Sequence, residues 1–135
     1  MTGPELAVTC GGALTLLMGG FHMTFPKRFV WDADFAKIAP VNVRVLYTIH
    51  LALLLLFFLL GSLSIWFRGE LATGRGLGGG LTLAMAAFWG WRAAWQWLYF
   101  RPPSGPRGAS RRRLHYAVAA HFTLTSLAYL APLAL

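Results

Sequence analysis

Four long apolar runs constrain this chain more than any other feature of its sequence. The longest covers residues 43–67 and contains the unbroken stretch LALLLLFFLLGSLSIW. About 20 helical residues cross the hydrocarbon core of a bilayer, and each run reaches that length. Runs this long favour helices over the alternating ten-residue strands of a membrane barrel. The predicted spans are residues 5–25, 43–67, 76–100 and 114–135.

The composition agrees with a membrane protein. The 135 residues are 57% hydrophobic and only 12% charged, with a mean hydropathy of +0.57. A soluble domain carries roughly 25% charged residues. Short connections between spans place successive helices antiparallel. The predicted fold is therefore an all-α membrane protein, an up-down four-helix transmembrane bundle that takes up residues 1–135 as a single domain.

The basic residues predict the orientation of this bundle. Nine of the 12 Lys and Arg residues lie in or beside the first and third loops, whereas only Arg68 and Arg75 lie in the second. Loops rich in Lys and Arg stay in the cytoplasm. The sequence therefore predicts an inner (plasma) membrane protein with both termini on the outer, periplasmic side. The nine residues are Lys27, Arg28, Lys37, Arg44, Arg101, Arg107, Arg111, Arg112 and Arg113.

The net charge of +8 follows from the same loops. Basic loops meet anionic lipid headgroups, so the bilayer is the expected partner of these charges. No polar domain is present in the sequence on which a basic surface for nucleic acid could be built, and nucleic acid is not expected as a partner.

Polar residues collect at one depth of the predicted bundle. The third span contains FWGWRAAWQWLYFR, in which Arg92 lies nine residues before Arg101, about 13 Å below the cytoplasmic surface. His22, His50 and His121 fall in the same half of the bilayer at depths of about 6–12 Å. Each span thus contributes to a polar layer in the cytoplasmic half.

Helical spacing indicates which members of this layer share a face. Arg92, Gln96 and Tyr99 follow at i, i+4 and i+7 on one face, and Tyr47 neighbours His50 at i, i+3. His115 and His121 lie about 120° apart around their helix. We expect His121 to face the bundle and His115 to lie at the membrane interface.

An arginine at the depth of Arg92 is costly. Its insertion costs roughly 2.5 kcal/mol or more near the bilayer centre unless it meets a polar interior. The only acidic residues are Glu5, Asp32, Asp34 and Glu70, and none lies within the predicted layer. Asp32 and Asp34 are on the cytoplasmic side and could fold over the site. Otherwise an anionic ligand is the natural counter-charge.

The first functional hypothesis is a haem b-like or quinone-like redox cofactor. Haem b needs two axial imidazoles on facing helices, and His50 and His121 lie at matched depths, with His22 as a substitute. Arg92 would pair with anionic propionates, and aromatic side chains of the third span would flank the ring. A chlorophyll-type pigment would fit the same residues. The predicted cofactor site consists of His50, His121, His22, Arg92, Gln96, Trp89, Trp95, Tyr99 and Tyr47.

Three alternatives remain open. The layer could be purely structural, in an accessory or assembly subunit of a larger membrane complex or in a homo-oligomer. His50, His121 and His22 could hold a metal ion or carry protons. Arg92, His50 and His121 could bind an anionic small molecule or lipid during transport. No paired carboxylates or Ser-His-Asp arrangement accompany them, so the sequence does not decide whether the protein is an enzyme.

Overall fold

The computed structural model describes residues 1–102 and 108–134, and in these residues every regular element is a helix. Arg107 and Ser104 of the third loop lie outside this part of the chain. Seven helices occur in the described ranges. They are α1 (Gly3–His22), α2 (Phe25–Arg28), α3 (Trp31–Phe35), α4 (Pro40–Trp66), α5 (Arg68–Leu71), α6 (Gly76–Leu98) and α7 (Ala109–Ala134).

Three of the described helices, α1, α4 and α7, are long and apolar enough to cross a membrane. They coincide with the predicted first, second and fourth spans to within a few residues. The helical fold class and the membrane character of the chain are therefore confirmed. Helix α6 matches the predicted third span in position, but glycines, Arg92 and Gln96 lower its hydropathy. Its passage through the membrane remains a prediction.

Local sequence sets the starts of these helices. Thr2 and Glu5 form a reciprocal capping box at α1, in which each side chain accepts from the other residue's backbone N–H. Pro4 and Pro40 occupy the first turns of α1 and α4, where a missing N–H costs nothing.

Helices α1 and α4 pack antiparallel through glycine. A Cβ added at Gly12 would lie 2.8 Å from the carbonyl oxygen of Gly61, so the two backbones are in contact there. At the other end of the pair, the rings of His22 and His50 lie 6.1 Å apart. Close backbone contact of this kind is the usual way in which membrane helices associate.

Helices α6 and α7 form a second antiparallel pair. Ser126 Oγ donates to the carbonyl oxygen of Ala86 over 2.8 Å, and Gln96 contacts His115 near the other end. Helix α1 also packs against α7, where Gly11 lies against the ring of Tyr129. The helices therefore follow the spatial order α4, α1, α7, α6.

The core lies where these helices converge. The Trp89 side chain is 1% exposed and stacks between Phe57 of α4 and Phe122 of α7, with ring centroids 5.4 Å and 5.6 Å away. Met18 and Met85 complete this cluster. Helices α4 and α6 meet mainly through such side chains, and an apolar cavity of about 220 Å³ lies between them.

The first loop contains the short helices α2 and α3. Val30 joins them in the left-handed conformation, with φ at 52°. This turn folds Trp31 back over α4, where its ring lies 4.8 Å from that of His50 and 5.8 Å from that of Tyr47. Helix α2 is thereby held beside the end of α1.

Candidate functional site

A cavity of about 830 Å³ lies at the end of the molecule that the basic loops predict to be cytoplasmic. The end of α1, helix α2, the end of α6 and the start of α7 form its walls. We call it the basic cavity because four arginines line it. Its volume is in the range of roughly 300–1,000 Å³ that small-molecule sites occupy. The polar residues in its wall are His22, Arg28, Arg92, Gln96, Arg101, Ser110, Arg111 and His115.

Arg92 is the innermost cation of the basic cavity. Its guanidinium carbon lies 4.4 Å from the ring centroid of Phe122 and 5.7 Å from that of Phe100. These cation–π contacts hold the head group but leave its hydrogen-bond donors unused. Among the described residues, no hydrogen-bond partner reaches the buried Nη1 atom. The prediction that Arg92 turns toward a polar interior agrees with this position.

Gln96 and His115 form the second inner element. Gln96 Nε2 lies 3.0 Å from His115 Nδ1, and both residues are buried. An amide nitrogen only donates, so Nδ1 accepts and the proton of the neutral imidazole is on Nε2. That Nε2 is buried and has no partner in the described part of the chain. The basic cavity thus contains a second unused donor.

The expected orientation of the two α7 histidines was wrong. His115 is only 6% exposed and lines the basic cavity, whereas the structure places His121 outside it. The reason is the helical face on which His115 lies. Residues 111, 114, 115, 118 and 122 follow at i, i+3, i+4, i+7 and i+11, and all of them line the cavity.

The charge of the basic cavity is one-sided. Four arginines line it, and no described residue in its wall is acidic. Asp32 and Asp34, which could have folded over the site, are exposed on α3 and take no part in the wall. Asp34 Oδ1 instead accepts from Lys37 Nζ over 3.2 Å. The walls therefore supply hydrogen-bond donors and positive charge without an internal counter-ion.

Apolar side chains make up the rest of the wall. Phe21 and Phe25 contribute from the α1–α2 side, and Val118 and Phe122 contribute from α7. Phe21 also lies under the guanidinium of Arg28, whose central carbon is 5.4 Å from the ring centroid. The cavity is consequently amphipathic, with cations set among aromatic and aliphatic surfaces.

His22 and His50 are neighbours, but only His22 lines the basic cavity. Their rings are nearly parallel, at an interplanar angle of 26°. His22 Nδ1 lies 3.1 Å from the carbonyl oxygen of Met18. His50 is covered by Phe25 and Trp31, at centroid distances of 6.1 Å and 4.8 Å.

The predicted ligand pair His50 and His121 is separated by packed rings. The series runs from His22 to Phe57 over 5.0 Å, to Trp89 over 5.4 Å and on to His121 over 6.2 Å. A macrocycle between His50 and His121 would have to displace this stack. The buried Nε2 of His121 has no partner in the described ranges, so it remains chemically available.

The other predicted site residues lie away from the basic cavity. Trp89 belongs to the core, and Tyr47 packs against Trp31 and Phe35. Trp95 and Tyr99 stack at 4.9 Å on a face of α6 that is 40% and 66% exposed at these two residues. Tyr99 therefore does not share the environment of Arg92 and Gln96, although the spacing predicted one face.

Sequence reasoning missed His115 as an inner residue and treated Arg28 and Arg111 only as orientation signals. The spacing of Arg111 and His115, one turn apart and followed by Val118 and Phe122, is the signal that could have identified this face. Arg28 could not have been found in this way, because the left-handed turn at Val30 positions its helix.

Metal-ligating groups do not cluster in the described structure. Within residues 1–102 and 108–134, no three His, Cys, Asp or Glu side chains come together in a way that could hold a metal ion. The chain matches no protein-family model, no curated protein and no solved structure. The geometry of the basic cavity is therefore the basis for a functional proposal.

Proposed function

We propose that this protein is an integral membrane protein that binds an amphipathic anion in the basic cavity. The anionic group contacts Arg92 and His115, and the apolar part lies along Phe21, Phe25 and Phe122. The observation that carries the proposal is the pair of buried donors, Arg92 Nη1 and His115 Nε2, for which the described structure contains no acceptor.

The energetic reason is the cost of such donors. A buried donor without a partner costs about 1–3 kcal/mol, and more when the group is charged. The basic cavity contains two of them and no acidic residue in its described wall. A ligand with anionic oxygens would offset this cost, whereas a neutral ligand would leave the charge of Arg92 uncompensated.

The test compares two lipids with the same acyl chains. Purified protein in a neutral detergent is unfolded thermally with dioleoyl-phosphatidylglycerol or with dioleoyl-phosphatidylcholine. We expect the anionic lipid to stabilise the wild-type protein by about 2.7 kcal/mol at a hundredfold excess over its dissociation constant. Phosphatidylcholine should give a much smaller shift.

Two variants separate the cavity from general attraction to charge. Arg92→Gln should lose the stabilisation by phosphatidylglycerol, because it removes the innermost cation. Arg75→Gln removes an exposed cation before α6, outside the cavity wall, and should retain it. Equal shifts in Arg92→Gln and the wild-type protein would refute the proposal.

The proposed topology places all four long helices across the inner membrane, with the basic cavity open to the cytoplasm and both termini outside. Two observations support it. The Lys and Arg residues divide nine to two between the two sides. Helix α6 contains 23 residues and is about 35 Å long, enough to cross a hydrocarbon core of about 30 Å.

A haem b-like or quinone-like cofactor is the second candidate. The unpartnered Nε2 atoms of His115 and His121 favour it, because imidazole nitrogens ligate haem iron and bind quinone oxygens. Absorption spectra of the oxidised and the reduced purified protein decide the haem case. A strong band that shifts on reduction and is lost in His121→Ala supports haem ligation. Absence of that band, together with no lipid selectivity, would favour an accessory subunit of a membrane complex.

A further inference from the structure

Three of the four cavity arginines are exposed and come from different segments. Arg28 lies on α2, Arg101 follows α6, and Arg111 lies in the first turns of α7. We call them the outer arginines. Three like charges around one cavity repel each other, so their approach is favoured only when negative charge lies between them.

We propose that the amphipathic anion carries a phosphomonoester, so that its head group has close to two negative charges. This inference rests on the proposed function and names the ligand class of the same site. Arg92 and His115 bind two phosphate oxygens from inside, and Arg28 and Arg111 bind the third from outside. The apolar chain lies against Phe21, Phe25 and Phe122.

Charge matching is the first argument for this class. A phosphodiester or a carboxylate carries one negative charge, whereas a phosphomonoester carries about 1.5 to 2 near neutral pH. One charge is enough for Arg92 but leaves the outer arginines without a counter-ion. The four arginines and the absence of acid from the described wall match the more highly charged group.

The second argument is the geometry of the donors. The planar guanidinium of arginine offers paired N–H groups that fit phosphate oxygens, and all four basic side chains of the cavity wall with permanent charge are arginines. Helix α7 begins at Ala109 beside the cavity, and Ser110 of its first turn lines it. First-turn N–H groups have no partner within a helix and favour phosphate. The buried, unpartnered Nε2 of His115 independently indicates a ligand at this place.

The experiment uses the full chain in lipid nanodiscs of phosphatidylcholine. Each nanodisc preparation contains a small fraction of dioleoyl-phosphatidic acid or of dioleoyl-phosphatidylglycerol, and bound lipid is measured by native mass spectrometry at pH 8. We expect the wild-type protein to prefer phosphatidic acid by about tenfold, which corresponds to one additional charge-assisted contact. Arg28→Gln/Arg111→Gln should bind both lipids with similar affinity.

Each contrary result has a distinct meaning. Equal binding of the two anionic lipids to the wild-type protein refutes the phosphomonoester and leaves the proposed function intact. Selection of neither lipid over phosphatidylcholine refutes both. A preference for phosphatidic acid that survives in Arg28→Gln/Arg111→Gln refutes the role of the outer arginines.

A further arm separates a lipid from a free phosphate. Dihexanoyl-phosphatidic acid and inorganic phosphate are added as competitors at equal concentration. We expect dihexanoyl-phosphatidic acid to compete weakly and inorganic phosphate not at all, because neither fills the aromatic part of the wall. Full competition by inorganic phosphate would overturn the assignment of an apolar chain.

Discussion

Tyr129 joins three helices through one buried hydroxyl group. Its Oη donates to Ser64 Oγ of α4 over 2.8 Å and lies 3.4 Å from Thr15 Oγ1 of α1. Ser64 passes its own proton to the carbonyl oxygen of Leu60 over 2.7 Å. Each hydroxyl is therefore used, which distinguishes this cluster from the incompletely paired groups of the basic cavity.

Tyr129→Phe removes the hydroxyl and keeps the ring that packs against Gly11. We expect the free energy of unfolding to fall by about 0.6–1.7 kcal/mol, the range for hydrogen bonds between membrane helices. Mixed-micelle unfolding followed by circular dichroism measures it. Tyr116→Phe is the control, because that side chain is 49% exposed. Equal losses in the two variants would contradict the prediction.

At the same scale, the sequence predicted Arg92 well and His115 poorly. An arginine deep in an apolar run is recognisable from depth alone, because its cost requires a polar neighbour. The orientation of His115 depends on how α7 is rotated against α6. The contact with Gln96 fixes that rotation, and it is a tertiary contact that one helix's spacing does not reveal.

At the scale of elements, the α1–α4 contact is the tightest described above. The carbonyl oxygen of Gly61 would be 2.8 Å from a Cβ at Gly12, and Gly12's carbonyl oxygen would be 2.9 Å from a Cβ at Gly61. Neither obstacle is a flexible side chain. A methyl group at either residue therefore has to separate the helices.

Gly12→Ala should lower the free energy of unfolding by about 1–3 kcal/mol, the usual cost of overpacking. Gly20→Ala is the matched control on the same helix, because nothing lies within 4 Å of its added Cβ. It should leave stability unchanged or raise it by up to about 1 kcal/mol through helix propensity. Thermal unfolding in detergent compares the two, and a stable Gly12→Ala variant would show that the backbones are not in contact.

The long helices could be predicted because hydrophobicity and length determine them. Their ends moved by a few residues, since caps and prolines at Thr2, Pro4 and Pro40 fix the first turns. The short helices α2 and α3 could not be predicted, because they depend on the left-handed turn at Val30 and on packing of Trp31 against α4.

At the scale of the whole molecule, the topology is open to a direct test. Single cysteines are placed at position 73, in the second connection, and at position 104, in the third, after Cys10→Ser removes the native thiol. We expect an impermeant maleimide to label position 73 on intact cells and to leave position 104 unlabelled, because the third loop is rich in arginine.

The other patterns have clear meanings. Labelling of position 104 alone would reverse the orientation and place the basic cavity outside the cell. Labelling of both positions from outside would mean that α6 does not cross the membrane. In that case Arg92 would lie near the interface, and the energetic argument for its ligand would lose its force.

The place of α1 between α4 and α7 has a consequence for biosynthesis. Chains emerge from the ribosome N-terminus first. The glycine surface of α1 meets α4 early, but Gly11 waits for Tyr129, which is among the last residues to be made. A nascent chain that stops before residue 109 would display half of this adhesive surface to its neighbours. Quality-control proteases and mispaired polysomal partners would therefore meet the protein chiefly through its first helix.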